Sequence, residues 1–152
     1  MEVKELGHIV LYVRDLSRSV EFYRAVLGWK PINPDSDGMR AAAFQSSSHR
    51  THHELLLIEV GEDAPLPSRG RRAGLYHFGL KVGETDEELR EALARLQEHN
   101  VRIVGASDHT VTHSLYILDP DGNEIELYID VQPAVWKQEP MAVLSPVKPL
   151  RL

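Results

Sequence analysis

The sequence predicts an α+β fold in which two βαβββ modules form a curved mixed sheet, and an internal repeat is the first reason. LGHIVLYV (6–13) and LYHFGLKV (75–82) both read L-x-H-x-x-L-x-V, at an offset of 69 residues. Each segment is followed by apolar residues at helical spacing and then by apolar-alternating runs typical of strands. The modules span about residues 5–62 and 74–131, and a linker rich in proline, glycine and arginine joins them at 63–73.

The first module is expected to contain one helix and four strands, one of which has a weak signal. After the repeat segment, apolar residues recur at helical spacing from Leu16 onward. Gly28 is expected to end this helix, because glycine commonly closes helices. MRAAAFQ (39–45) and HELLLIEV (53–60) have strand patterns. The strand signal is poor at 31–38, which leaves the position of the second strand open.

The second module has clearer signals for the same elements. Its helix is expected to begin after Thr85 or Asp86, since either side chain can cap the first turn. Three strand patterns follow the helix: VRIVGA (101–106), TVTHSLYIL (110–118) and EIELYID (124–130). The element order of the first module is thus repeated.

The two modules are expected to form a single domain, residues 1–131, followed by a proline-rich extension at 132–152. The extension contains four prolines and no regular period. We therefore expect an extended arm that packs on the surface or on a second subunit.

The composition narrows the classes of function. The chain has 152 residues, a net charge of −6 and no cysteine. The net negative charge gives no indication of a basic surface that would bind nucleic acid. No apolar run approaches the ~20 residues that a helix needs to span a bilayer. The absence of cysteine excludes disulfides, thiolate metal sites and a cysteine nucleophile, and fits a cytoplasmic protein. Eight histidines are the unusual count, and imidazole is the commonest metal ligand.

Strand periodicity predicts a metal site on the polar faces. Alternate residues of a strand share a face, so His8 and His77 lie opposite the apolar residues of their strands. Glu126 likewise lies opposite Ile125 and Leu127. If the apolar faces pack under helices, two imidazoles and one carboxylate face the concavity of the sheet. Such a set binds one face of an octahedral metal and leaves three positions open.

A predicted hairpin brings Tyr116 into the same argument. Tyr116 and Glu126 flank an Asp-Pro-Asp-Gly turn at 119–122, which favours a tight reversal. An odd number of loop residues places the two side chains opposite each other, and an even number staggers them by one. His113 has the opposite parity to Tyr116, so we expect it on the outer face of the sheet. Glu124 is expected either beside the metal ligands or facing solvent.

These residues resemble the vicinal oxygen chelate superfamily, in which two βαβββ modules form a curved mixed sheet with a metal in its concavity. From His109 to Glu126 the chain reads H-x5-L-Y-x2-D-P-D-G-x3-E. This is similar to the signature of type I extradiol ring-cleaving dioxygenases, although Ser107 departs from its leading position. RTHHELLL (50–57) looks like the R-x-H-H strand start of those enzymes. The resemblance covers roughly residues 5–130.

The resemblance implies a metal bound by His8, His77 and Glu126. Iron(II) is the implied metal, and manganese(II) or another divalent ion also suits imidazole and carboxylate ligands. The implied reaction is cleavage of a catechol ring by dioxygen, with both reactants held at the metal. The implied partners are therefore a small aromatic substrate and O2, in an enzyme that forms a homodimer.

The resemblance also implies roles for three further residues. His53 matches the acid–base histidine that supplies a proton during ring opening, a role suited to an imidazole near neutral pH. His109 matches a pocket histidine that contacts substrate or oxygen. Tyr116 matches a tyrosine that hydrogen-bonds a substrate hydroxyl.

Two alternatives stay open at this stage. A glyoxalase-like isomerase or lyase takes a fourth ligand, a carboxylate, at the repeat position equivalent to Glu126. Aligning HELLLIEV on NEIELYID puts Leu56 there, whereas a slip of two residues offers Glu54. The other alternative is a metal-free protein of the same fold that binds small molecules such as drugs.

Overall fold

The computed structural model of the protein describes residues 1–32, 38–68 and 70–152. Residues 33–37, where the strand signal is weak, and residue 69, in the predicted linker, lie outside the described residues. The chain divides into two compact units, 1–67 and 68–152. Each unit contains one sheet with parallel and antiparallel pairs, so the fold is α+β as predicted.

The first unit is a four-stranded sheet with one helical segment. Its elements are β1 (Ile9–Val13), α1 (Leu16–Glu21), a π-helical turn (Phe22–Val26), β2 (Lys30–Pro31), β3 (Ala41–Gln45) and β4 (Leu55–Glu59). The strand order is β1-β4-β3-β2, with β1 and β4 parallel and the other pairs antiparallel. Val13, Tyr23, Phe44 and Leu57 are fully buried and form the centre of its core.

The helix of the first unit has the predicted ends. The carboxylate of Asp15 caps its start by accepting a hydrogen bond from the backbone N–H of Arg18. Gly28 has a φ of 71°, the left-handed conformation that glycine adopts without steric cost. The second half of the segment widens into the π-helical turn, which the apolar spacing did not predict.

The second unit has five strands in the order β5-β8-β7-β6-β9. Its first elements are β5 (His77–Gly83), α2 (Asp86–Glu98), β6 (Ile103–Asp108), β7 (Thr112–Leu118) and β8 (Glu124–Asp130). Thr85 caps α2 in a capping box with Glu88, which decides between the two predicted caps. In the described part of the chain, no helix is long and apolar enough to cross a membrane.

Burial alternates along β8 as the strand period predicts. Ile125, Leu127 and Ile129 are at most 2% exposed, and the residues between them are half-buried. Phe78 on the neighbouring β5 is also buried. The apolar face of this sheet therefore forms the core, and the opposite face is left to polar side chains.

The C-terminal extension packs on the surface of its own unit, one of the two predicted cases, but the prediction that it is extended was wrong. It forms α3 (Pro133–Gln138), a 3-10 turn (Pro140–Leu144) and β9 (Lys148–Pro149). Proline fits the first turn of a helix, where its missing N–H is not needed, and this lets the helix begin. β9 pairs antiparallel with the outer edge of β6, so the extension packs on its own unit.

Candidate metal and substrate site

A histidine and a carboxylate meet where β5 and β8 run side by side. The parallel register sets Gly79 opposite Glu126 and His77 opposite Glu124. Nε2 of His77 lies 3.2 Å from Oε2 of Glu126, and both side chains are mostly buried. Two donors each about 2.1 Å from one ion, at a right angle to each other, lie roughly 3 Å apart. The pair therefore has the spacing of adjacent ligands of one octahedral metal.

The second oxygen of Glu126 is held by two hydroxyl groups. Oγ of Ser114 donates to Oε1 at 2.6 Å, and the hydroxyl of Tyr116 donates to the same atom at 3.2 Å. Ser114 is fully buried. The two bonds occupy Oε1 and leave Oε2 as the oxygen that faces His77.

The other ring nitrogen of His77 lacks a partner. Its Nδ1 is buried without a hydrogen bond, and Oε1 of Glu124 lies 3.8 Å away. A histidine that binds metal through one nitrogen usually donates the other N–H to a carboxylate or carbonyl. The orphaned nitrogen thus fits a ligand histidine with Glu124 as the nearby acceptor. Glu124 is also bonded by the hydroxyl of Tyr76, and this bond raises the pKa of that tyrosine.

Tyr116 faces Glu126 directly across the hairpin. The two residues are register partners on β7 and β8, and residues 119–123 form a loop with an odd count, which is the first of the two predicted cases. Burial raises the pKa of Tyr116, and the charge of Glu126 and the hydrogen bond to it raise the pKa further. Tyr116 therefore keeps its proton at neutral pH and acts as a donor.

His109 extends this chain of hydrogen bonds. Its Nε2 lies 2.7 Å from the hydroxyl oxygen of Tyr116. Since the single hydroxyl proton of Tyr116 points to Glu126, Nε2 of His109 must carry the hydrogen of its own bond. The order of donation is then His109 to Tyr116 to Glu126.

These side chains open into a pocket of about 520 Å³ within the second unit. That volume lies within the range of about 300–1,000 Å³ typical of small-molecule sites. Its lining combines polar strand residues with apolar ones: His77, His109, Val111, Thr112, Tyr116, Glu126, Tyr128, Asp130, Trp136, Pro140 and Val143.

In the first unit, a cluster of histidines lies beside the start of β1. The ring centroids of His8 and His53 are 4.5 Å apart, and Nδ1 of His52 lies 2.5 Å from Nδ1 of His53. Burial lowers the pKa of His53, and the neighbouring imidazoles of His52 and His8 lower it further. His53 is therefore neutral at pH 7.

The strand registers test the position of a fourth ligand. Val10 pairs with Leu56 in the first unit just as Gly79 pairs with Glu126 in the second. The offset of the repeat makes Val10 equivalent to Gly79, so Leu56 occupies the place of Glu126 and cannot bind metal. The slipped candidate, Glu54, already accepts hydrogen bonds from Ser46 and Ser48.

A family model matches most of the chain. The model of the Glyoxalase/Bleomycin resistance protein/Dioxygenase superfamily covers residues 5–127. The chain belongs to this superfamily. The vicinal oxygen chelate resemblance drawn from the sequence is thereby confirmed.

Known members of the superfamily differ in activity. The chain is 36% identical over 138 residues to a catechol-2,3-dioxygenase of Bacillus subtilis, covering 91% of this chain and 46% of that protein. It therefore spans about half the length of this relative. It is also 27% identical over 128 residues to the metallothiol transferase FosB of Staphylococcus saprophyticus, covering 83% of this chain and 77% of that protein.

Solved structures of the superfamily support the fold. A glyoxalase/dioxygenase from Nostoc punctiforme superposes with a TM-score of 0.69 at 22% identity, over 84% of this chain and 92% of that one. This likeness concerns the fold alone. It agrees with the two sheets of mixed strand orientation described above.

The predicted site residues fall into two groups. The second unit brings together His77, His109, Tyr116 and Glu126, while His8 and the catalytic candidate His53 lie in the histidine cluster of the first unit. As it stands, no group of three or more His, Asp, Glu or Cys side chains among the described residues could hold a metal ion. His77 and Glu126 have the spacing of a ligand pair, and a metal bound there would need further donors.

His113 lies away from these groups, as its parity predicts. Its Nδ1 is 2.6 Å from Oδ1 of Asp86, at the start of α2. The side chain is therefore engaged on the helix-covered face of the sheet and is not available as a ligand.

Sequence reasoning missed two kinds of residue. Ser114 lies on the same face of β7 as Tyr116, and Glu126 is its diagonal neighbour on β8. The strand period alone could therefore have placed Ser114 beside the carboxylate of Glu126. Trp136 and Val143 reach the pocket from the extension, and no periodic pattern marks them.

Proposed function

We propose that this member of the superfamily is an iron(II)-dependent extradiol dioxygenase, which opens the aromatic ring of a catechol-type substrate with O2. One observation carries the proposal. Glu126 offers one oxygen toward His77 while its other oxygen holds Tyr116, which in turn contacts His109. The proposed ligand pair and two side chains that could hydrogen-bond a substrate hydroxyl thus line the same pocket, which supports the proposal. The similarity to a catechol-2,3-dioxygenase over 91% of this chain supports the same reaction.

The proposed metal ligands are His77, Glu126 and His8. The first two fit by their spacing and by the unpartnered nitrogen of His77. The internal repeat and the sequence resemblance, and not a distance, bring His8 into the set. When bound, iron(II) or manganese(II) would supply open positions at which a catechol and dioxygen meet in one geometry.

The remaining residues orient the substrate and handle protons. When a substrate binds, the hydroxyl of Tyr116 can turn its proton from Glu126 to a substrate oxygen, and Nε2 of His109 can redirect its N–H from Tyr116 to the substrate. His53 enters the proposal by its match to the dioxygenase pattern. Its lowered pKa keeps it neutral at pH 7, so it can accept a proton from a substrate hydroxyl and return it later in the reaction.

Leu56 argues against the four-ligand isomerase or lyase. An apolar side chain occupies the register position from which the fourth carboxylate would come. Three ligands leave one more position for exogenous groups than four, which suits a reaction that binds two reactants. A metal-free binding protein of this fold gives no reason for the oriented carboxylate of Glu126.

Anaerobic iron(II) loading, followed by metal analysis and a panel of catechols, tests the proposal. We expect about one iron per chain, oxygen uptake and a yellow ring-cleavage product. Alanine at His8, His77 or Glu126 should remove the metal without unfolding the protein, because the apolar faces stay intact. His113→Ala is the matched histidine control and should keep the metal. Stoichiometric metal with no ring cleavage would refute the dioxygenase, and failure to bind metal would favour the metal-free binding protein.

The expected homodimer is tested separately. Light scattering coupled to size-exclusion chromatography gives the mass directly, and a mass of 17.2 kDa, that of one chain, would contradict it.

A further inference from the structure

The C-terminal extension crosses the second sheet on its way to β9. The chain leaves β8 at Asp130 and next pairs as β9 with the outer edge of β6. In the order β5-β8-β7-β6-β9, the segment between must pass over β7 and β6. Trp136 and Val143 line the same pocket as Tyr116, so the crossing lies on the face of the candidate site.

The extension contributes apolar side chains to the lining of the pocket. Trp136, Pro140 and Val143, here called the apolar wall, line the same pocket as His77, His109, Tyr116 and Glu126. The rest of the protein leaves this wall partly exposed to solvent. Trp136 is 38% exposed and Val143 is 57% exposed. Covering such a surface with an apolar group is favourable at about 25 cal/mol for each Å² removed from water.

The charge of the pocket limits what can cover the wall. The described residues that line the pocket include no lysine or arginine. Asp130 adds a second carboxylate to that of Glu126, and its partner Lys81, 2.8 Å away, is not among the lining residues. Nζ of Lys137 lies over the Trp136 ring, 5.5 Å from its centroid, but Lys137 is not among the lining residues either. An anionic substituent would therefore meet two carboxylates and no lysine or arginine among the described lining residues, whereas a neutral apolar one would meet Trp136 and Val143.

We propose that the extension determines substrate specificity, with Trp136 and Val143 contacting an uncharged apolar substituent on the substrate ring. This inference rests on the proposed dioxygenase function and names the substrate class of the same site. The wall lies beyond residue 127, where the match to the superfamily model ends. Selection of the substituent is therefore assigned to a part of the chain separate from the metal ligands.

The first experiment measures kcat/KM for a phenyl-substituted catechol and for catechol itself in the iron-loaded enzyme. Trp136→Ala and Val143→Ala should each lower the ratio of the two values by about tenfold, the usual effect of losing an apolar pocket contact. Leu144→Ala is the matched control, since Leu144 is 72% exposed and does not line the pocket. An unchanged ratio in the two wall variants, or an equal fall in the control, would overturn the inference.

A second experiment needs no turnover. The chain has two tryptophans, so Trp29→Phe leaves Trp136 as the sole tryptophan reporter. Under anaerobic conditions, phenyl-substituted catechol should change Trp136 fluorescence with saturation, and 3,4-dihydroxybenzoate, which carries a carboxylate, should do so at least tenfold more weakly. Equal responses to both would contradict the apolar wall.

The two experiments separate failure of this inference from failure of the proposed function. A saturable change in Trp136 fluorescence without any ring cleavage would support binding at the apolar wall and refute the dioxygenase function. If the enzyme cleaves the ring but Trp136→Ala and Val143→Ala leave the ratio of the two kcat/KM values unchanged, the dioxygenase function stands and the specificity role of the extension is refuted.

Discussion

Replacing Ser114 by alanine should weaken metal binding although Ser114 is not a ligand. Its hydroxyl donates to Oε1 of Glu126 at 2.6 Å from a fully buried position. A hydrogen bond to a charged group contributes about 1.5–3 kcal/mol. Because the Glu126 side chain keeps 18% exposure and a second donor in Tyr116, we take the lower part of that range, about 1.5–2 kcal/mol.

The loss should be seen as reduced metal affinity. Without Ser114 the carboxylate of Glu126 samples other orientations, and the metal must restore the one that faces His77. Since each 1.4 kcal/mol is a factor of ten in affinity, Ser114→Ala should weaken binding by about 10–30-fold. This agrees with the usual effect of removing a group that orients a metal ligand.

Competition with a chelator under anaerobic conditions measures this affinity, with thermal unfolding of the metal-free protein as a check on folding. Tyr116→Phe is the internal comparison, because it removes a longer bond of 3.2 Å to the same oxygen. It should weaken binding only a few-fold. Binding within twofold of the parent in Ser114→Ala, or a larger loss in Tyr116→Phe, would refute the orienting role of Ser114.

Three further predictions concern other side chains. Burial acts to raise the pKa of Glu54, but hydrogen bonds from Ser46 and Ser48 outweigh it and the pKa is lowered. Urea unfolding should therefore show a free energy of unfolding about 1 kcal/mol lower for Ser46→Ala than for the parent at pH 7. The difference between the two proteins should shrink below pH 4.5, the usual pKa of the carboxyl, because Glu54 is then protonated. His52→Gln removes one of the causes that lower the pKa of His53; NMR titration should show that pKa rising, and the acid limb of activity should move to higher pH. His53→Ala should keep the metal and lose turnover by roughly 10²–10⁴-fold, whereas His113→Ala should stay within a few-fold of the parent; the opposite pattern in steady-state assays would show the strand register to be misassigned.

The strand faces could be read from the sequence because the strand period is strict. Ile125 and Leu127 bury one face of β8, which forces Glu126 onto the other. The pairing of Tyr116 with Glu126 then follows from the length of one loop. Local chemistry at Thr85 and Gly28 likewise marked the two helix boundaries.

The missed features depend on contacts that no local pattern encodes. Ser114 donates a hydrogen bond to the carboxylate of Glu126, twelve residues later in the chain. A serine in a strand has no local pattern that indicates such a contact. α3 spans six residues and β9 two, which is too short for a period to emerge. β9 is positioned by pairing with the outer edge of β6, and this edge is known only once the order of the strands in the sheet is known.

The parallel pairing of β5 with β8 also determines when the proposed ligand pair can form during synthesis. His77 and Glu126 lie on these two strands and are 49 residues apart. A helix and two strands must be made before β8 can add beside β5. Long-range pairing of this kind requires the closure of a long loop and therefore forms late. A nascent chain that has emerged only as far as β7 presents His77 without the carboxylate of Glu126, so the proposed pair of donors is incomplete until β8 has docked beside β5.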